Sequence, residues 1–143
     1  MSLSKLQVSL LCGLVLLWSC FVDGKYTAEQ VDDFAKLCNA VEEDVDVFKG
    51  YNLPTTETGK LFIKCVFDNL EMCDSNGNYN KPNTFEAIKK YWPEVALDTI
   101  GNINQICYIE SLKIKSAYEL GTPDYVYLIQ KCLFTQFKLY DML

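Results

Sequence analysis

The sequence predicts an all-α fold: one compact domain of about six helices, stapled by disulfides. Three observations carry that expectation. Apolar residues recur at helical spacing over residues 27–140, and caps and breaks divide this stretch into six segments. No alternating strand pattern or hairpin signal competes. Five cysteines lie in the same stretch, Cys38, Cys65, Cys73, Cys107 and Cys132, with two more at Cys12 and Cys20.

The first segment, "TAEQVDDFAKLCNAV", starts with a capping box, Thr27 and Gln30. Val31, Phe34, Cys38 and Val41 then form its apolar stripe. "EEDVDVFKG" predicts a short second helix with Gly50 at a left-handed end, and "NLP" at 52–54 breaks the chain. "TTETGKLFIKCVFDNLEM" is apolar on more than one face, so the third helix is expected to be central. "DSNGNYN" is a turn cluster. "NTFEAIKKYW" predicts a fourth helix capped by Asn83 and stopped before Pro93. "ALDTIGNINQICYIESLKI" predicts a fifth, with Ile103, Ile106 and Cys107 inward together with Ile109 or Ile114. In "TPDYVYLIQKCLFTQFKLY", Thr122 suits the N-cap and Pro123 the first turn of a sixth.

Residues 1–24 stand apart. Lys5 precedes the apolar run "LQVSLLCGLVLLWSCF", and Val22 and Gly24 follow it. That is the order of a secretory signal peptide, with cleavage expected after Gly24 and a domain over 25–143. The run is too short and too poorly flanked to favour a membrane-spanning helix, and no membrane insertion is expected. Cys12 and Cys20 leave with the leader. In a secreted chain the other five cysteines read as disulfide partners, and an odd number leaves one over.

Composition excludes several classes. The net charge is −6, and the chain has no Arg and no His. A nucleic-acid partner needs a positive footprint, and none is expected. Without His there is no Ser-His-Asp or Cys-His catalysis and no zinc–histidine site. "DSNGNY" has the flavour of a calcium loop, but counted from Asp74 its Gly77 falls fourth and its twelfth position is Phe85. An EF-hand needs Gly sixth and Glu twelfth. Cys65 and Cys73 lie eight apart, and the domain has no Cys-x-x-Cys pair. The adjacent acids Asp32–Asp33 and Glu42–Glu43–Asp44 read as solvated faces. No nucleophile has a visible base. No enzyme activity, cofactor, metal site or catalytic residue is expected.

What remains is an apolar excess: half the chain is hydrophobic, with nine Tyr and eight Phe. Periodicity alone does not separate a filled core from a cavity between helices.

The stretch "CVFDNLEMCDSNGNYNKPNTFEAIKKYWP" resembles the middle of the insect odorant-binding protein family, the general odorant- and pheromone-binding proteins. "DYVYLIQKCLF" resembles that family's final helix. On this resemblance Cys38 stands as the family's first cysteine, Cys65 as the third, Cys107 as the fourth and Cys132 as the sixth. Leu61 and Pro123 occupy the places of the second and fifth, which normally bond each other, so the chain resembles the subgroup without that bridge. The implied disulfides are Cys38–Cys65 and Cys107–Cys132. Cys73 is the odd thiol, read as a buried small hydrophobe. An intermolecular disulfide, or pairing with Cys38 in place of Cys65, are the alternatives.

The resemblance implies a secreted, extracellular carrier that holds a small hydrophobic molecule in an internal apolar pocket. The expected wall is Phe62, Val66 and Leu70 on the third helix and Ile88, Tyr91 and Trp92 on the fourth. Ile106 and Ile109 on the fifth and Leu128 and Phe134 on the sixth extend it. Phe137, Leu139 and Tyr140 belong to a tail that can fold over the pocket. Further partners on this reading are a chemosensory receptor or a second copy in a homodimer. The competing reading is a salivary or reproductive-fluid protein that uses the same scaffold to bind a protein or sequester a host molecule.

Overall fold

The structure, a computed structural model, describes residues 25–143. The expected leader lies outside the described residues. Six helices follow in order: α1 Ala28–Cys38, α2 Glu42–Lys49, α3 Glu57–Asn69, α4 Lys81–Tyr91, α5 Leu97–Ile114 and α6 Pro123–Leu139. Among the described residues there is no strand, only an isolated antiparallel bridge between Cys73 and Tyr79.

Four of the six helices start where the sequence offers a side-chain acceptor for free N–H groups, while α2 and α5 begin after Val41 and Ala96 without one. The Thr27 hydroxyl accepts from the Gln30 N–H while the Gln30 side chain accepts from the Thr27 N–H, completing the capping box. Thr56 caps α3 and Thr122 caps α6 with Pro123 in its first turn. The fourth helix begins earlier than expected. Its cap is Asn80, whose side chain accepts from the Asn83 N–H, and Pro82 fits the first turn because its nitrogen has no proton to satisfy. The α2 ending also differs from expectation. Gly50 keeps a negative φ, and Tyr51 takes the left-handed conformation at φ 60°.

Two disulfides fix the layout. Cys38–Cys65 ties the end of α1 to α3, and Cys107–Cys132 ties α5 to α6. Cys73 is free. Helix α3 is central, as its many-sided apolarity requires: it packs on α6, α1 and α2, while α5 packs on α4 and α6. The shared core includes Phe67, Ile100, Ile103, Ile129 and Leu133, all essentially inaccessible. Lys60 on α3 bonds Asp124 on α6 at 2.9 Å, one residue from Leu61 and Pro123 respectively. An ion pair therefore links α3 to α6 beside the two positions where the resemblance leaves out a disulfide.

Candidate ligand-binding site

The turn at 74–78 is self-contained. The Asp74 carboxylate accepts from the N–H groups of Asn76 and Asn78, and the Gly77 N–H donates to the Asp74 carbonyl. The carboxylate thus holds its own backbone, as an Asx turn does. Among the described residues no group of three or more His, Cys, Asp or Glu could hold a metal ion.

A cavity of about 70 Å³ lies between the helices. Helix α1 supplies Gln30, Val31 and Phe34; α3 supplies Val66, and its C-cap Leu70; α4 supplies Ala87, Ile88 and Tyr91, followed by Trp92. Helix α6 supplies Gln130, Leu133, Phe134 and Phe137. Tyr26, Phe48 and Met72 complete the lining.

One wall is a cluster of rings. Tyr26 stacks on Phe48 with centroids 5.1 Å apart and meets Trp92 edge-on at 6.0 Å. Phe134 lies 5.5 Å from Phe48, and Phe137 lies 4.5 Å from Trp92. The Tyr26 hydroxyl donates to the Phe48 carbonyl at 2.7 Å, so this ring is anchored at its polar end. Burial pushes the Tyr26 phenol well above the usual tyrosine range, and the neighbouring Tyr51 adds to the shift. Tyr91 moves the same way, through burial first and then the charge of Asp33. No carboxylate or ammonium lines the cavity.

The expected wall is placed in part. Val66, Leu70, Ile88, Tyr91, Trp92, Phe134 and Phe137 line the cavity. Phe62 is buried behind the lining, its ring 5.7 Å from Phe48. Leu128 is half-buried against the core and does not reach the cavity. Ile106 and Ile109 face outward, because α5 buries Ile100, Ile103, Asn104, Cys107, Ser111 and Ile114. Leu139 and Tyr140 are also exposed. The chain end instead turns back through Met142, which is buried, and its carbonyl accepts from the Trp92 indole N–H at 3.1 Å.

Sequence reasoning missed the contributions of Tyr26, Gln30, Phe48 and Met72, and of Ala87, Gln130 and Leu133. Val31 and Phe34 were legible as the stripe of the first helix, though not as cavity wall. Tyr26 precedes α1, where no periodicity assigns it a face.

The model of the PBP/GOBP family matches residues 23–136. The chain belongs to the PBP/GOBP family. The match takes in all of α1 to α5 and nearly all of α6. Among solved structures, the odorant-binding protein dmelOBP28a of Drosophila melanogaster is similar in fold, with a TM-score of 0.61 and 18% identity. The alignment covers 80% of this chain and 92% of that one. No curated protein matches.

Proposed function

We propose that the protein is a secreted carrier of small hydrophobic molecules, held in the cavity between α1, α3, α4 and α6. The observation that carries this reading is the lining itself: a space between the helices of a PBP/GOBP domain, walled by aliphatic and aromatic side chains and without a charged group. An apolar ligand entering it gains about 25 cal/mol per Å² buried. A charged ligand would leave water with no counter-ion. The protein is secreted after loss of residues 1–24, and its chemistry is binding, not catalysis.

Size sets a further requirement. An apolar cavity of about 150 Å³ takes up benzene, and this one has about 70 Å³. A ligand of odorant size therefore enters with movement of the walls. The half-buried members Phe34, Val66, Leu70 and Tyr91 have room to move that the fully buried Leu133 lacks.

The test is native mass spectrometry of protein secreted from eukaryotic cells, compared with its denatured, non-reduced mass. The expected result is a non-covalent adduct that disappears on denaturation. A clean apo mass that stays unchanged after incubation with a panel of apolar volatiles would overturn the carrier reading. A disulfide-linked dimer in the denatured sample would favour the interaction-protein alternative through Cys73.

A further inference from the structure

The sequence contains a single Asn–Gly pair, Asn76–Gly77. It lies in the turn between α3 and α4, and Asn76 is exposed. Such a pair carries a reaction of its own. The Gly77 nitrogen attacks the Asn76 Cγ, and the new N–C bond closes a five-membered succinimide. The Cγ–Nδ2 bond breaks, and the amide leaves as ammonia with the proton that the Gly77 nitrogen gives up. Water then adds to either imide carbonyl. Opening at Cγ gives Asp; opening at the main-chain carbonyl gives isoaspartate, whose main chain runs through Cβ. Glycine favours the attack, because no Cβ hinders its nitrogen and its backbone turns freely.

The folded turn opposes the attack. The Gly77 N–H donates to the Asp74 carbonyl at 2.9 Å, closing a four-residue turn with Asp first and Gly last. The proton that must leave is therefore engaged. One oxygen of the Asp74 carboxylate accepts from the N–H groups on either side of Gly77, Asn76 at 2.9 Å and Asn78 at 3.0 Å. Gly77, at φ +83°, also abuts the turn between α5 and α6: an added Cβ would lie 2.7 Å from the Gly121 nitrogen. The peptide that must rotate is held from both sides.

We infer that Asn76 is a modification site, a gated deamidation site: the Asp74 brace keeps the reaction slow in the native turn, and local opening releases it. The product does not rebuild the turn. Isoaspartate adds a backbone carbon where the chain closes against Gly121, and either product adds a negative charge beside Asp74. The same turn joins Met72 of the cavity lining to Asn80, the cap of α4, and the Asn80 N–H donates to the Met72 carbonyl at 2.8 Å. Modification therefore loosens the start of α4. None of this depends on the carrier reading.

The test is incubation of the disulfide-intact protein at neutral pH, in buffer and in guanidinium chloride. Digestion and tandem mass spectrometry locate each exchange of NH₂ for OH, and protein isoaspartyl methyltransferase reads the isoaspartate. Asn76 should convert before any other Asn. Opening the turn gives up three hydrogen bonds, so the native rate should lie on the order of 10–100-fold below the unfolded one. Asp74→Ala should raise the native rate on the order of 10-fold. Asp74→Asn keeps one acceptor oxygen and should stay near the wild type.

Earlier conversion of another Asn would overturn the site. Equal rates in buffer and guanidinium would overturn the gating, and that comparison needs no variant, so a misfolded Asp74→Ala leaves it intact. Equal rates for wild type and a folded Asp74→Ala would remove the brace. The isoaspartyl fraction, separated by ion exchange, should melt below the unmodified protein, and identical melts would overturn the loosening of α4.

Discussion

Two glycines show how a single residue's surroundings decide the sign of a substitution. Gly77 has a φ of +83°, and a Cβ there would lie 2.7 Å from the Gly121 nitrogen and 2.8 Å from the Leu120 carbonyl carbon. Gly121 itself has a φ of +71°, so the two turns approach through paired glycines. Gly77→Ala should therefore lower stability by roughly 1–3 kcal/mol, combining left-handed strain with the clash. Gly101 lies within α5, and a Cβ there meets nothing within 4 Å. Gly101→Ala should raise stability by roughly 0.5–1 kcal/mol, the ordinary helix preference for Ala. Urea midpoints moving in the same direction for both variants would contradict this reading. Cys73 is a second residue-scale case. Burial pushes its thiol up to about 11, the nearby Asp68 adds to the shift and Lys64 opposes it. The thiolate is the reactive form, so the native protein at neutral pH should hold on the order of 100-fold less of it than a free cysteine. Ellman's reagent should label the native protein slowly and the unfolded, non-reduced protein quickly, at one thiol per chain. Fast labelling of the native state would place Cys73 at the surface.

At the scale of elements, the α2–α3 corner depends on a buried carboxylate. Asp44 in the first turn of α2 is 3% exposed, and it accepts from the hydroxyls of Thr56 and Thr58 at 2.5 and 2.6 Å. Thr56 is also the N-cap of α3. Asp44→Ala would strip both hydroxyls of their acceptor and loosen the start of α3. The expected cost is roughly 1–3 kcal/mol, read as a lower urea midpoint, and a change within about 0.5 kcal/mol, as for an ordinary surface site, would show that solvent replaces the carboxylate. Legibility divides at this scale too. The capping box at Thr27 and the Thr122–Pro123 start were readable because a cap works through residues three apart in sequence. The α4 start was misplaced by a competing Asn: Asn80 and Asn83 are both good caps, and only the chain entering from Met72 and Tyr79 selects the first. Helix α5 misled for a different reason. It is apolar on several sides, and its true inner face includes Asn104 and Ser111. Asn104 is buried because the Tyr79 hydroxyl donates to its side-chain oxygen and its amide donates to the Lys81 carbonyl. Those partners are 25 and 23 residues away, and no local pattern encodes them. Ile106 and Ile109 looked more inward than a buried Asn for that reason.

At the scale of the whole molecule, the titratable groups are distributed so that pH acts from one side. The cavity lining has no carboxylate, ammonium or imidazole, and its two phenols, Tyr26 and Tyr91, are both shifted upward by burial. The chain has no His to titrate between pH 7 and 5.5. Ligand affinity should change by less than about threefold over that interval, and a large loss there would show carboxylates outside the lining acting on the pocket. Alkali is different. Cys73, Tyr26, Tyr79 and Tyr125 all hold their protons to higher pH in the folded state, chiefly because burial penalises the charged form. Below the unfolded-state values, about 8.5 for Cys and 10 for Tyr, both states are protonated and the full stability is present. Above them the unfolded chain releases protons that the native one retains, so the native state binds more protons and stability falls as pH rises. Thermal melts should therefore be nearly level from pH 6 to 8 and fall from about pH 9 upward. Cys73→Ala should delay the onset of that fall, since the thiol is the first of these groups to ionise in the unfolded chain. An unchanged onset in that variant would assign the alkaline loss to the tyrosines alone.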